Sequence, residues 1–259
     1  MLYVLFEIGV FMNDTKFSII TVCYNSEKTL SRTIESVLNQ TYTPYEYIII
    51  DGLSNDKTLE VANRYKNDFK ARGVKYSVIS EKDNGMYDAL NKGCRISHGD
   101  LIGQINSDDW YEPNALFEMN NLFKETKFDM SYADLRMINS DGSSWIKHAK
   151  ISKFVSSRNW NHPTQFTNRK LFFLHPYQCK CMSDDLDFML WVRSNNYNIV
   201  VLNKVIANFC VNGMSHSKDF EDVLKRIRTK SKIYHQNGYS FFHTIDVAFV
   251  EIAKCLLDK

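Results

Sequence analysis

Residues 103–113 read GQINSDDWYEP. The stretch follows small and apolar residues and looks like a buried strand, yet it ends in two adjacent carboxylates, Asp108 and Asp109, backed by Trp110 and Tyr111. Neighbouring anions repel, and each costs several kcal/mol if it leaves water without a partner. Such a pair at the end of an apolar run predicts something positive beside it.

Working outward from it gives the fold class. Upstream, FSIITVCYN (17–25) is a β-branched apolar run, and residues 26–41 place Leu30, Ile34, Val37 and Leu38 at helical spacing. YEYIIIDGLSNDKT (45–58) repeats the pattern with a run too dense for a one-sided strand, and residues 59–73 read as one helix with Gly73 as its C-cap. VKYSVIS is a third strand, EKDNGMYDALNKG opens a third loop and helix, and DLIGQINSDD is the fourth strand. Strands alternating with helices imply a parallel sheet, whose ligands bind beyond the carboxyl ends of the strands. Every one of these ends is polar: Tyr24 and Asn25, Asp51, Glu81 and Asp83, Asp108 and Asp109. A dinucleotide-binding domain would need a glycine-rich first turn, and CYNSEK has no glycine.

Downstream the pattern is looser. Residues 131–148 read as strand, turn at Asp141 and Gly142, and strand; residues 160–177 are irregular; SDDLDFMLWVRSNNY is a helix opened by its own acids; residues 198–209 are one or two strands. Composition is that of an ordinary soluble globular protein, 44% hydrophobic and 24% charged over 259 residues, and a net charge of +2 gives no reason to expect nucleic acid. The six cysteines are scattered without a two-residue spacer, which fits reduced thiols in a cytosolic protein. Met12 precedes the first strand, so residues 1–11 are read as an upstream-start extension. From Val223 to Ile245 there is no acid, while Lys225, Arg226, Arg228, Lys230 and Lys232 accompany an apolar stripe. Such a basic amphipathic helix suits either an anionic bilayer or a solvated face packed on the main domain, and Phe241, Phe242, Ile245, Phe249, Ile252 and Leu256 suggest a second helix with an apolar face.

The ordered series FSIITVCYN, IIIDGLSNDKT, EKDNGMYDALNKG, GQINSDDWY and SDDLDFMLWVR resembles the family 2 glycosyltransferases, and the bacterial O-antigen and capsule enzymes in particular. The resemblance implies an α/β GT-A fold: a Rossmann-like, mostly parallel central sheet flanked by helices, with a C-terminal helical extension. It divides the chain into an N-terminal extension (1–16), a transferase domain (17–215, nucleotide-sugar half 17–110 and acceptor half 111–215) and amphipathic helices (216–259). Asn106 stands where some members carry aspartate, and Asp184-Asp185 where many carry Glu-Asp. The Gln-x-x-Arg-Trp signature of processive synthases is missing, which favours single-sugar addition.

The chemistry the resemblance implies is inverting transfer of a hexose, glucose or galactose, from a UDP-sugar to a lipid-diphosphate-linked sugar such as GlcNAc-diphosphate-undecaprenol. It would take place at the cytoplasmic face of a bacterial inner membrane, with peripheral contact through the basic C-terminal helices. A Mn2+ or Mg2+ would answer the opening question, with Asp109 as ligand, Asp108 on the metal or the ribose, and His216 completing the site. Asp51 would accept from the base and Tyr24 lie flat against it, with Thr21 and Asn25 in the same pocket. Asp83 would contact ribose or base, Gly85 allow close approach, and Lys92 face a phosphate. Asp185 would be the general base, with Asp184 and His162 toward the acceptor. Plainer readings stand beside these: Asp51 as a turn former, Lys92 as the helical partner of Asp88, and the acids at 184–187 as a solvated helix start. Other donors such as UDP-GlcNAc or UDP-GalNAc, a binder without catalysis and a peripheral membrane scaffold are the alternatives. A phosphohydrolase would need an acid where the first strand ends in Tyr24 and Asn25.

Overall fold

The computed structural model describes residues 14–211 and 219–257, so His216 lies outside the described residues. The first half alternates as predicted: β1 (Phe17–Cys23), α1 (Leu30–Leu38), β2 (Glu46–Asp51), α2 (Thr58–Arg64), α3 (Lys66–Ala71), β3 (Lys75–Ser80), α4 (Met86–Ile96) and β4 (Leu101–Gln104). Every residue of β1 and β2 is buried, because helices cover both faces of the sheet. The run expected as one helix over 59–73 breaks at Tyr65, and the second piece places Phe69 in a stack with Tyr76, ring centroids 4.6 Å apart.

After β4 come β5 (Trp110–Tyr111), α5 (Ala115–Thr126), β6 (Met130–Ile138), β7 (Ser144–Lys147), β8 (Phe166–Asn168), α6 (Arg169–Leu174), α7 (Asp184–Ser194), β9 (Ile199–Cys210), α8 (Phe220–Gln236) and α9 (Phe242–Leu257). The sheet order is β3-β2-β1-β4-β8-β6-β9-β5, with β7 paired to β6. Only its first four strands form an all-parallel block; β8 runs antiparallel to both β4 and β6, so the expected mostly parallel sheet is a mixed one. The fourth strand also ends earlier than expected. At Asn106 the chain turns, Asp109 N–H donating to its carbonyl, and β5 then pairs with β9.

Two cores flank the sheet. One packs α1, α2, α3 and α5 against Phe17, Ile19 and Tyr47; the other packs α4, α6, α7, α8 and α9 against Ile20, Val22 and Ile50. Because consecutive strand residues point to opposite faces, both cores draw on the same dense runs. The polar strand ends are thereby left on one edge.

Candidate active site

The loops at that edge are laced together. Asn25 N–H donates to Ser54 Oγ at 2.8 Å, Asn25 Oδ1 accepts from Asn55 N–H at 3.0 Å, and the hydroxyls of Ser26 and Ser107 are 2.8 Å apart. Asn25 adopts a φ of 50°, a conformation asparagine tolerates better than most residues. Asp51 is fully buried, and its two oxygens accept from Ser54 N–H, Ser54 Oγ and Ser80 Oγ. Those bonds make it the fastener of the second and third loops, as a turn former would be. Thr21 is also buried, its Oγ accepting from Tyr47 Oη at 3.0 Å.

Tyr24 is open to solvent at 62% exposure, and Asp83 stands beside it. Gly52 makes that approach possible: a Cβ there would come within 2.6 Å of Asp83 Oδ2 and 3.5 Å of the Tyr24 ring. Asp83 Oδ1 accepts from Gly85 N–H at 2.9 Å, and Gly85, at φ 106°, turns the chain into α4. Lys92 donates to the Lys82 carbonyl at 2.6 Å and pairs with Glu81 at 3.0 Å and Asp88 at 4.0 Å. It ties its own loop to α4, as the helical partner of Asp88 would.

Helix α1 cradles the acidic turn. Arg32 lies 3.6 Å over the Trp110 ring and donates to the Asp108 carbonyl at 2.8 Å and the Cys210 sulfur at 3.2 Å. Thr33 Oγ donates to the Asp109 carbonyl at 2.6 Å. The two carboxylates then part company. Asp109 is fully buried; its Oδ1 accepts from Cys210 N–H at 3.1 Å and its Oδ2 is buried with no hydrogen-bond partner. Burial, then the charge of Asp108, pushes its pKa well above the usual carboxylate range. Asp108 stays half-buried with its side chain at the edge. Among the described residues no three His, Cys, Asp or Glu side chains gather to hold a metal. A hard dication bound largely through substrate phosphates needs only one or two protein carboxylates, and this turn offers that donor set.

The three acids at the start of α7 also separate. Asp184 is buried, accepting from the N–H groups of Lys180 at 3.2 Å and Cys181 at 3.1 Å. Asp187 accepts from His175 at 3.2 Å and Asn237 at 2.7 Å, and the His175 bond holds its pKa below the usual carboxylate range. Asp185 is half-buried like Asp187 but less tied down, with Oδ1 accepting from Tyr87 Oη at 2.7 Å and Oδ2 3.9 Å from His162 Nδ1. Burial keeps His162 neutral, only partly opposed by Asp185, and both its ring nitrogens lack hydrogen-bond partners. Tyr87, Arg32 and Trp160, whose ring is edge-on to His162 at 6.3 Å, had not been singled out from the sequence. Tyr87 lies in the quoted EKDNGMYDALNKG, but its partner is 98 residues away.

Two comparisons bear on this arrangement. Chondroitin synthase of Escherichia coli is 29% identical over 217 residues, 80% of this chain but 31% of that protein, so the chain spans about a third of its length. The PGL/p-HBAD biosynthesis glycosyltransferase Rv2957 of Mycobacterium tuberculosis is 26% identical over 228 residues, 84% of this chain and 86% of that one. Among solved structures, Staphylococcus aureus TarS 1–349 in complex with UDP-GlcNAc superposes with a TM-score of 0.65 at 21% identity, covering 93% of this chain and 72% of that one. The mannosyltransferase PcManGT of Pyrobaculum calidifontis, in complex with GDP-Man and Mn2+, gives 0.64 at 13%, covering 95% and 71%. These structures speak for the fold, which is GT-A. Residues 18–183 match the family described as Glycosyl transferase family 2, and this chain, a glycosyltransferase, belongs to that family.

Proposed function

We propose that the chain is an inverting, metal-dependent hexosyltransferase. It moves one glucose or galactose from a UDP-sugar to a GlcNAc-diphosphate lipid of the undecaprenol type, forming a β linkage in O-antigen assembly. One observation carries the reading: Asp184 is buried and Asp187 has both oxygens engaged, by His175 and Asn237, whereas half-buried Asp185 is bonded through Oδ1 to Tyr87 and holds Oδ2 3.9 Å from His162. Inversion needs a single base opposite the leaving group, and this carboxylate is free to take the acceptor hydroxyl's proton as that oxygen attacks. His162 stands 3.9 Å from Asp185 Oδ2 and is assigned to the acceptor side of the site.

On the donor side, Tyr24 offers a flat face to the base and Asp83 an oxygen to the ribose. Asp108 holds the Mn2+ or Mg2+, because it is half-buried and within reach while Asp109 is fully buried with Oδ1 taken by Cys210 N–H. Such a dication stabilises the charge that grows on the departing diphosphate. The UDP-GlcNAc held by TarS and the GDP-Man and Mn2+ held by PcManGT support this chemistry.

Membrane contact is assigned to α9 more than to α8. Phe242, Ile245, Phe249 and Ile252 form one exposed stripe, flanked by the exposed cations Lys225, Arg228 and Lys232 of α8. No helix among the described residues is long and apolar enough to cross a membrane. The test is a screen of UDP-sugars against a synthetic GlcNAc-diphosphate lipid, with and without Mn2+. UDP release from one UDP-hexose, dependent on metal and acceptor, is expected; no release from any donor overturns the proposal.

A further inference from the structure

The helix that bears the exposed apolar stripe also has an inward face, and that face grips the loop beside the proposed base. Residues 148–165 join β7 to β8 and carry Trp160 and His162. Two short 3-10 turns shape them, Ser157–Asn159 and His162–Thr164. The second is fixed to the sheet. Asn161 Nδ2 donates to the Ala133 carbonyl at 2.8 Å, and Thr164 Oγ accepts from Ala133 N–H and donates to its carbonyl, each at 2.9 Å. The first turn leans on α9 instead. Asp246 Oδ2 accepts from Ser156 Oγ at 2.7 Å, and its Oδ1 accepts from the Arg158 guanidinium. Ser156 in turn caps the 3-10 turn, its Oγ accepting from Arg158 N–H at 3.4 Å. One helical turn earlier on α9, His243 stacks on Phe154, ring centroids 4.3 Å apart, and Arg193 of α7 donates to the Ser152 carbonyl.

Trp160 sits between the two turns. Its carbonyl accepts from Lys147 Nζ at 3.1 Å, and its buried ring stands edge-on to His162, centroids 6.3 Å apart. His162 Nδ1 is 3.9 Å from Asp185 Oδ2. A carboxylate that binds both Ser156 and Arg158 fixes the place and the direction of the turn leading into Trp160. The Asp246 side chain is only 10% exposed, and an ionised acceptor so placed bonds more strongly than a neutral one. The geometry points to Asp246 as a positioning residue for the acceptor: from α9 it sets the 157–159 turn and thereby holds Trp160 against His162, beside the base. This inference rests on the proposed transferase reading, in which Asp185 takes the acceptor's proton. The donor side is built from other loops, those of Tyr24, Asp83 and Asp108, so Asp246 should act on the acceptor alone. Phe242, Ile245, Phe249 and Ile252 project from the outer face of the same helix. One element thus carries both the apolar stripe and the grip on the acceptor loop.

Kinetics and hydrogen exchange on the full chain test it. Asp246→Asn keeps an oxygen for Ser156 but loses the charge that holds Arg158, and Arg158→Gln removes the same pair from the other side. Each should raise acceptor KM about tenfold, with kcat and UDP-sugar KM staying within about twofold of the unaltered chain. The double variant should be no worse than either single one, because both remove one interaction. Amides of residues 156–162 should exchange faster in Asp246→Asn, while those of β1 and β2 keep their protection. A carboxylate that merely stabilised the fold would lower the melting temperature and shift donor and acceptor constants alike. That result, additive losses in the double variant, or unchanged exchange over 156–162 would overturn the assignment. If no donor supports transfer the function proposal fails, while the exchange measurement still decides whether Asp246 holds the loop.

Discussion

Replacing Asp185 with asparagine separates chemistry from folding more cleanly than any other change at this edge. The amide is nearly the same size, and its oxygen can still accept from Tyr87 Oη, now 2.7 Å from the carboxylate, so α7 keeps its tie to α4. What is lost is the group that takes a proton from the acceptor. A positioned general base is worth about 10²–10⁴ in rate, so kcat should fall by that factor while UDP affinity stays put. Asp184→Asn is the internal comparison. Its carboxylate is 3% exposed and accepts two backbone N–H groups, so the amide costs about 1–3 kcal/mol of stability. For a chain of this size the melting temperature should drop by about 2–4 °C per kcal/mol. Turnover per folded molecule should hold. The assay is UDP release at saturating donor and acceptor, beside thermal melts and UDP titrations. Near-normal kcat in Asp185→Asn, or a greater loss of turnover in Asp184→Asn, would refute the assignment of the base.

Other consequences follow from the same geometry. Tyr87→Phe removes the hydroxyl that pins Asp185 and should lower kcat about tenfold, with donor affinity unchanged by titration. Gly52→Ala drives a methyl to within 2.6 Å of Asp83 Oδ2, so Asp83 must move; UDP-sugar KM should rise severalfold while the melting temperature shifts little. Burial alone would push Glu251 up, but Lys230, Lys254 and Arg226 overcome it and hold the acid at about 2 against an ordinary 4.5. The folded value is depressed, so the stability it contributes, about 3 kcal/mol, is complete above roughly pH 4.5 and drains away as pH falls toward 2. Melts of the unaltered chain and Glu251→Gln should therefore differ above pH 4.5 and converge below it.

Much of the architecture was legible because the first half repeats one physical pattern. The runs FSIITVC and EYIIID are apolar on both faces, which only a helix-covered parallel sheet accommodates, and each ends in a polar residue at the ligand edge. Strand β8 was not legible: its three residues lie within an aromatic, polar stretch, and they owe their place between β4 and β6 to partners far away in sequence. Adjacent acids were found without their roles. Whether Asp108 or Asp109 turns inward depends on Cys210, 101 residues on, and the openness of Asp185 depends on what Lys180, Cys181, His175 and Asn237 do for its neighbours. The partners of Asp51, Thr21 and Lys92 were not legible either, since Ser80, Tyr47 and the Lys82 carbonyl are brought to them by the fold. The basic stripe of α8 was visible, but its division into inward Arg226 and Lys230 and outward Lys225, Arg228 and Lys232 follows from where Glu251 stands on the next helix.

Calorimetric titration of UDP with and without Mn2+, on the unaltered chain and on Asp108→Asn and Asp109→Asn, probes the central claim most directly. Manganese should strengthen UDP binding in the unaltered chain, and Asp108→Asn should abolish that gain. Asp109→Asn should retain it, since an amide oxygen still accepts from Cys210 N–H at that buried position. Manganese-dependent affinity that survives Asp108→Asn, or vanishes only in Asp109→Asn, would contradict the account.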